Sequence, residues 1–211
     1  MADLASGDLI TRELSIGVPP LEARRSGRSL GWWGVVLLIA TEAMLFALLL
    51  FGNFYLRALN HRWPMDGIED PELAKSGVRT VVLLGSTVPA VVAERAVKRG
   101  QRGFAAAGLT LTILMGSAFL VGHVDEYVTL WPHFTPSTDA YGSVFYTITA
   151  LHALHVLIGI VVLGFLLWRM LAGHYGARRS DPVEVGTMYW HFVDVVWVFV
   201  FSSLYLSVTL L

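Results

Sequence analysis

The chain is 211 residues long, 55% hydrophobic and only 15% charged, against the roughly 25% charged residues of an average soluble domain. So few charges cannot cover a soluble fold of this length, and a disordered chain needs the opposite imbalance, so both classes are excluded and a membrane protein remains. There is no cysteine and the net charge is −1, which excludes disulfides, thiolate metal sites, iron–sulfur clusters and sulfur-linked haem, and leaves no overall charge to recruit nucleic acid.

Residues 1–29 are polar, with Arg12, Arg24, Arg25, Arg28 and the pair Pro19-Pro20. They contain no apolar core and no small-residue cleavage site, and read as a cytoplasmic leader rather than a signal peptide. Beyond them, five runs meet the need for about 20 mostly apolar residues per spanning helix, near 30–56, 78–97, 103–124, 141–171 and 185–211. Together they take up enough of the chain that residues 30–211 read as one domain, an all-α polytopic membrane bundle of five transmembrane helices.

Each ionisable side chain at depth costs about 2.5 kcal/mol or more and needs a partner or a purpose. In the first span Glu42 stands eleven residues after Gly31 and ten before Gly52, near the midplane. It is either a proton-accepting or lipid-contacting carboxyl, or a protonated acid hydrogen-bonded to a neighbouring helix. The second span closes on Glu94-Arg95. The third carries small residues at Gly108 and Gly116-Ser117-Ala118, which permit close helix approach, and ends in Gly122-His123-Val124-Asp125-Glu126-Tyr127. That polar end reads either as an aqueous vestibule or as ordinary interfacial solvation. Trp63-Pro64 and Trp131-Pro132-His133-Phe134 flank spans as headgroup anchors.

The fourth span places His152 and His155 on one face, as satisfied interhelical histidines or as haem ligands; a haem held by two histidines needs them opposed across a cavity. In the fifth, His191 and Asp194 are again three apart and read as a local pair, or as the start of a metal site lacking further ligands of the right spacing. With alternating topology, eleven Lys and Arg fall on the side of the N-terminus and four on the other. That bias puts the N-terminus in the cytoplasm and the C-terminus in the periplasm.

The stretch Tyr189-Trp190-His191-Phe192-Val193-Asp194-Val195-Val196-Trp197 resembles the last-helix signature of subunit III of the haem–copper oxidases, the cytochrome c oxidase subunit 3 family. Other matches follow in the same order: Glu42 in its Thr-Glu-Ala setting, Asp125-Glu126-Tyr127, residues 141–146, residues 152–159, and Glu184 seven residues before His191. The resemblance runs from about Gly31 to the C-terminus. Long family members have seven helices; five, without the first two, resembles the short bacterial form found in quinol oxidases and some bacterial cytochrome c oxidases. Mitochondrial versions have a histidine pair where this chain has Glu94-Arg95, and no role is carried over there.

The resemblance implies a non-catalytic accessory subunit of a proton-pumping terminal oxidase that reduces oxygen to water, in the bacterial plasma (inner) membrane. It implies no catalytic, cofactor or metal residue in this chain, with haem and copper held by partner subunits. It further implies direct packing on oxidase subunit I, an assembly with subunit II and other oxidase subunits that is open to a larger respiratory supercomplex, bound phospholipid, and support of proton uptake and active-site durability. Glu42 takes the position of the family's buried, carbodiimide-reactive carboxyl. The polar set to follow is therefore Glu42, Glu126, His152, His155, Glu184, His191 and Asp194. Alternatives are the subunit III of a quinol oxidase, the accessory subunit of nitric oxide reductase, and, from another class, an independent b-type cytochrome using His152 or His155 with His191.

Overall fold

The computed structural model describes residues 28–60, 63–64, 73–176 and 180–207; all of the expected leader except Arg28 and Ser29 lies outside the described residues. The order of elements is α1 Leu30–Leu59, α2 Leu73–Gly85, α3 Thr87–Lys98, α4 Arg102–Leu130, α5 Ala140–Leu171 and α6 Asp181–Phe201, which widens into a π-helix over Ser202–Leu206. α2 and α3 together make one span, so five helices are long and apolar enough to cross a membrane, and no strand occurs among the described residues.

Local chemistry sets the ends. Ser29 accepts a hydrogen bond from the amide of Trp32 and Asp139 from that of Gly142, satisfying amides that the first turns of α1 and α5 leave free. The break between α2 and α3 falls at Ser86 because Pro89 has no N–H to give to the carbonyl of Gly85, and its ring crowds that carbonyl. The Ser86 hydroxyl donates instead to the carbonyl of Leu83 at 2.6 Å.

Four spans run well past their expected ends. The first continues to Leu59, the second starts at Leu73 and takes in Lys75, the third continues to Leu130 past Glu126, and the fifth begins at Asp181. A helix need not stop where hydropathy does when its polar side chains find partners on neighbouring helices, and Arg79 and Glu126 find each other.

α4 packs on α2, α3 and α5, and α6 packs on α1, α3 and α5. Gly108 brings α3 and α4 together: a methyl group there would stand 2.7 Å from the carbonyl oxygen of Pro89. The core is aromatic, with Trp190, Trp197, Tyr141, Tyr205, Phe119, Phe134 and Phe145 fully buried. Trp190 fills a slot floored by glycines, since a methyl group at Gly116 or Gly159 would come within 2.5 Å or 2.8 Å of its ring. Both motif tryptophans donate to hydroxyls of the second span, Trp190 to Ser86 and Trp197 to Thr80, each at 2.9 Å. By contrast only Phe46 and Asn53 of α1 are buried, so α1 leans on the bundle and leaves most of its apolar surface exposed.

Candidate functional site

The seven expected polar residues separate into distinct groups. Glu42 and His155 meet: His155 Nε2 is 3.1 Å from Glu42 Oε2, joining α5 to α1. At 1.5 Å per residue both stand within about 4 Å of the middle of their helices. His155 Nδ1 lies 2.8 Å from the carbonyl oxygen of Leu151. A carbonyl only accepts, so Nδ1 carries a hydrogen, and the contact between Nε2 and Oε2 needs one more proton between its two atoms. The pair is then a neutral imidazole with a carboxylic acid, or an imidazolium with a carboxylate, and has no net charge either way. That is how a carboxyl with 28% of its side chain exposed is accommodated at this depth.

His152, one turn away, points elsewhere. Its ring is fully buried among Phe46, Phe119 and Trp197, with centroids 6.3, 6.0 and 4.8 Å away. His191 sits on α6 against α3, apart from both. The three histidines therefore do not oppose one another across a cavity, which is the geometry that two histidine haem ligands require.

Near the far end of α4 the structure departs from simple interfacial solvation. Glu126 is only 7% exposed and pairs with Arg79 at 2.6 Å. Its Oε1 also accepts from Ser76 at 3.1 Å, and its Oε2 from Tyr205 at 2.9 Å, with His123 Nδ1 3.4 Å away. Arg79 donates in addition to Ser76 and to the carbonyl of Gly122. The π-helix, with its extra residue per turn, is the segment that brings Tyr205 onto this cluster. Arg79 and Tyr205 were not anticipated. The usable signal was Gly122, one turn before Glu126, where a methyl group would stand 2.7 Å from Arg79 Cδ.

His191 and Asp194 do not pair with each other. Asp194 instead accepts from Thr87 at 2.5 Å, and Thr187 donates to Glu94 at 3.1 Å, because α3 offers hydroxyl and carboxyl partners at the right levels. Glu184 binds Arg28 at 2.8 Å and Lys98 at 3.0 Å, and Lys98 also binds Glu94 at 2.7 Å. These pairs tie the start of α1, the end of α3 and the start of α6 at one end of the bundle. Beside them, α1, α5 and α6 enclose an apolar groove of about 470 Å³ lined by Val35, Leu38, Ile158, Val162, Val185 and Tyr189. Among the described residues no three His, Asp or Glu converge as metal ligands.

Comparisons with known proteins find similar sequences along most of the chain. The family model described as "Cytochrome c oxidase subunit III" matches residues 26–208. A protein named cytochrome c oxidase subunit 3 from Thermostichus vulcanus is 34% identical over 178 residues, 82% of this chain and 85% of that protein. Its counterpart from Synechocystis is 33% identical over 82% of this chain and 74% of its own length. One from Emericella nidulans is 38% identical over 82% of this chain but 65% of its own length.

Proposed function

As the chain belongs to the cytochrome c oxidase subunit III family, a subunit of an oxidoreductase complex, we propose that it serves as a non-catalytic accessory subunit of a proton-pumping respiratory oxidase. In this reading it packs directly on catalytic subunit I, with subunit II and the remaining subunits completing the assembly, and the haem and copper belong to those partners. The N-terminus faces the cytoplasm of a bacterium and the C-terminus the periplasm, as the distribution of cations favours. Residues 30–211 act as one domain.

The observation that carries this reading is the Glu42–His155 pair at mid-depth. A carboxyl there that shares a proton with an imidazole supports a part in proton handling beside the catalytic subunit without any redox centre. The groove between α1, α5 and α6 suits phospholipid acyl chains: its walls are apolar, and Arg28, stacked over Trp32 at 4.7 Å, stands at the same end, where a cation meets the headgroup phosphate.

The test is removal of the chain from the purified oxidase. Oxygen reduction is expected to begin at close to its normal rate, with slower proton uptake and faster loss of activity during turnover. A complex without the chain that takes up protons and endures like the intact one sinks the proposal. So does a Soret band at fixed stoichiometry in the isolated chain.

A further inference from the structure

α3 and α6 lie antiparallel in one register. The pairs Thr187–Glu94 and Asp194–Thr87 are seven residues apart on both helices, so the seam between them is polar at both ends. Midway stands His191, at the level of Ala90, which is fully buried and has no polar atom to offer. His191 is half-buried; the Glu94 carboxylate of α3 acts on it electrostatically, but no described residue hydrogen-bonds its ring. Asp194 Oδ1, three residues on, is buried without a hydrogen-bond partner among the described residues. By the helical rise His191 is about 4 Å from the middle of the span Asp181–Leu206.

The surface around it is open. Val195, Val198 and Phe199, four, seven and eight residues on, share this side of α6 and are 55%, 43% and 60% exposed. An acyl chain can cover those three but cannot hydrogen-bond an imidazole, and headgroups do not reach mid-depth. The apolar groove involves Pro182, Gly186 and Tyr189, on roughly the opposite side of α6 by the 100° helical step.

We propose that the open side of α6 around His191 is the seat of a transmembrane helix of the oxidase's catalytic subunit, one that brings a hydrogen-bonding side chain to the level of the His191 ring. The proposal rests on the reading that the chain packs on that subunit, and it adds which face does so. Lipid then occupies one side of α6 and protein the other. The apolar neighbours Val195, Val198 and Phe199 face the incoming helix, and the single imidazole sets its depth and rotation, as lone polar groups do in helix interfaces.

The absence of cysteine from the sequence makes an introduced cysteine the only thiol of this chain, and the unsubstituted complex gives the background from the other subunits. Val195→Cys in the assembled oxidase, in its native membrane, is labelled with a photoactivatable maleimide, alongside Val161→Cys on α5 and Leu114→Cys on α4, which replace residues 64% and 60% exposed. The expected result is at least fivefold more cross-linking to the catalytic subunit from position 195 than from either control. In the same complex, His191→Leu is expected to lower retention of the chain through a detergent wash about fivefold, and His191→Gln, which keeps a hydrogen-bonding group, to hold it within twofold of the parent. Cross-links mainly from the controls, adducts from position 195 to lipid or to a second copy of the chain, or unchanged retention of His191→Leu each overturn the assignment of this face while the packing reading stands. If the parent chain brings down no catalytic subunit, both fail together.

Discussion

Arg79 and Glu126 offer the sharpest test of the packing described above. Their side chains are 13% and 7% exposed and 2.6 Å apart, so neither charge is well solvated. Arg79→Met leaves the Glu126 carboxylate buried with only Ser76, Tyr205 and His123 nearby. Breaking one side of such a pair costs about 3–5 kcal/mol. Glu126→Gln strands the guanidinium, at about 3 kcal/mol, the low end of that range, because a long arginine near a span end can turn toward the headgroups. With both replaced, neither charge is left uncompensated. The double variant is therefore expected to lose less than the sum of the single ones, with a coupling of about 2–3 kcal/mol. Reversible unfolding of the purified chain by sodium dodecyl sulfate in mixed micelles, followed by tryptophan fluorescence, measures all three. Moderate salt is expected to leave the coupling nearly unchanged, since a buried pair is weakly screened. Single losses below about 1 kcal/mol, or strict additivity, would refute a buried, mutually dependent pair.

Gly116→Ala and Gly159→Ala push a methyl group into the Trp190 ring and are expected to cost about 1–3 kcal/mol each in the same assay; Gly164→Ala, with open space around it, is the control and is expected to lose nothing or to gain up to about 1 kcal/mol from helix propensity. Glu42→Gln keeps a hydrogen-bonding group opposite His155 and is expected to leave assembly intact while slowing proton uptake or lowering lipid occupancy modestly, read by flow-flash kinetics and by lipid mass spectrometry. Complete loss of oxygen reduction would instead put Glu42 on the main proton route. Arg28→Ala removes an ion pair whose arginine is 57% exposed, and is expected to change stability by less than about 1 kcal/mol at low salt and by nothing measurable at high salt, in the same unfolding titration.

Hydropathy located every span because a bilayer demands about 20 apolar residues per helix whatever the helix packs against. It misjudged ends for the same reason: Lys75 and Glu126 weigh as polar in any window, yet Glu126 pairs with Arg79 inside the bundle. Spacing of three within one helix was a poor guide to partnership. His152 and His155 diverge into an aromatic box and a carboxyl pair, and His191 and Asp194 fail to meet, because interhelical neighbours outcompete a neighbour one turn away. Tyr205 was invisible to any α-helical register, since the widened turn at Ser202–Leu206 changes which side it faces.

Glu126 and Glu42 are held by different chemistry, and the difference bears on what each can do. Glu126 sits four residues from the end of α4 against a guanidinium, which cannot give up its proton; taking up a proton there would break an ion pair and leave Arg79 charged and alone. Glu42 sits at mid-depth against an imidazole, which can. Moving the shared proton between Oε2 and Nε2 changes where charge lies without changing the total, so the attraction between the two ions offsets part of the cost of charging each of them at this depth. Replacing His155 by lysine would put an amine opposite Glu42 that holds its proton far more tightly than an imidazole does. If the shared proton matters, His155→Lys is expected to slow proton uptake more than Glu42→Gln does, although it keeps the carboxyl that Glu42→Gln removes. Equal effects from the two variants would make the pair a structural contact only.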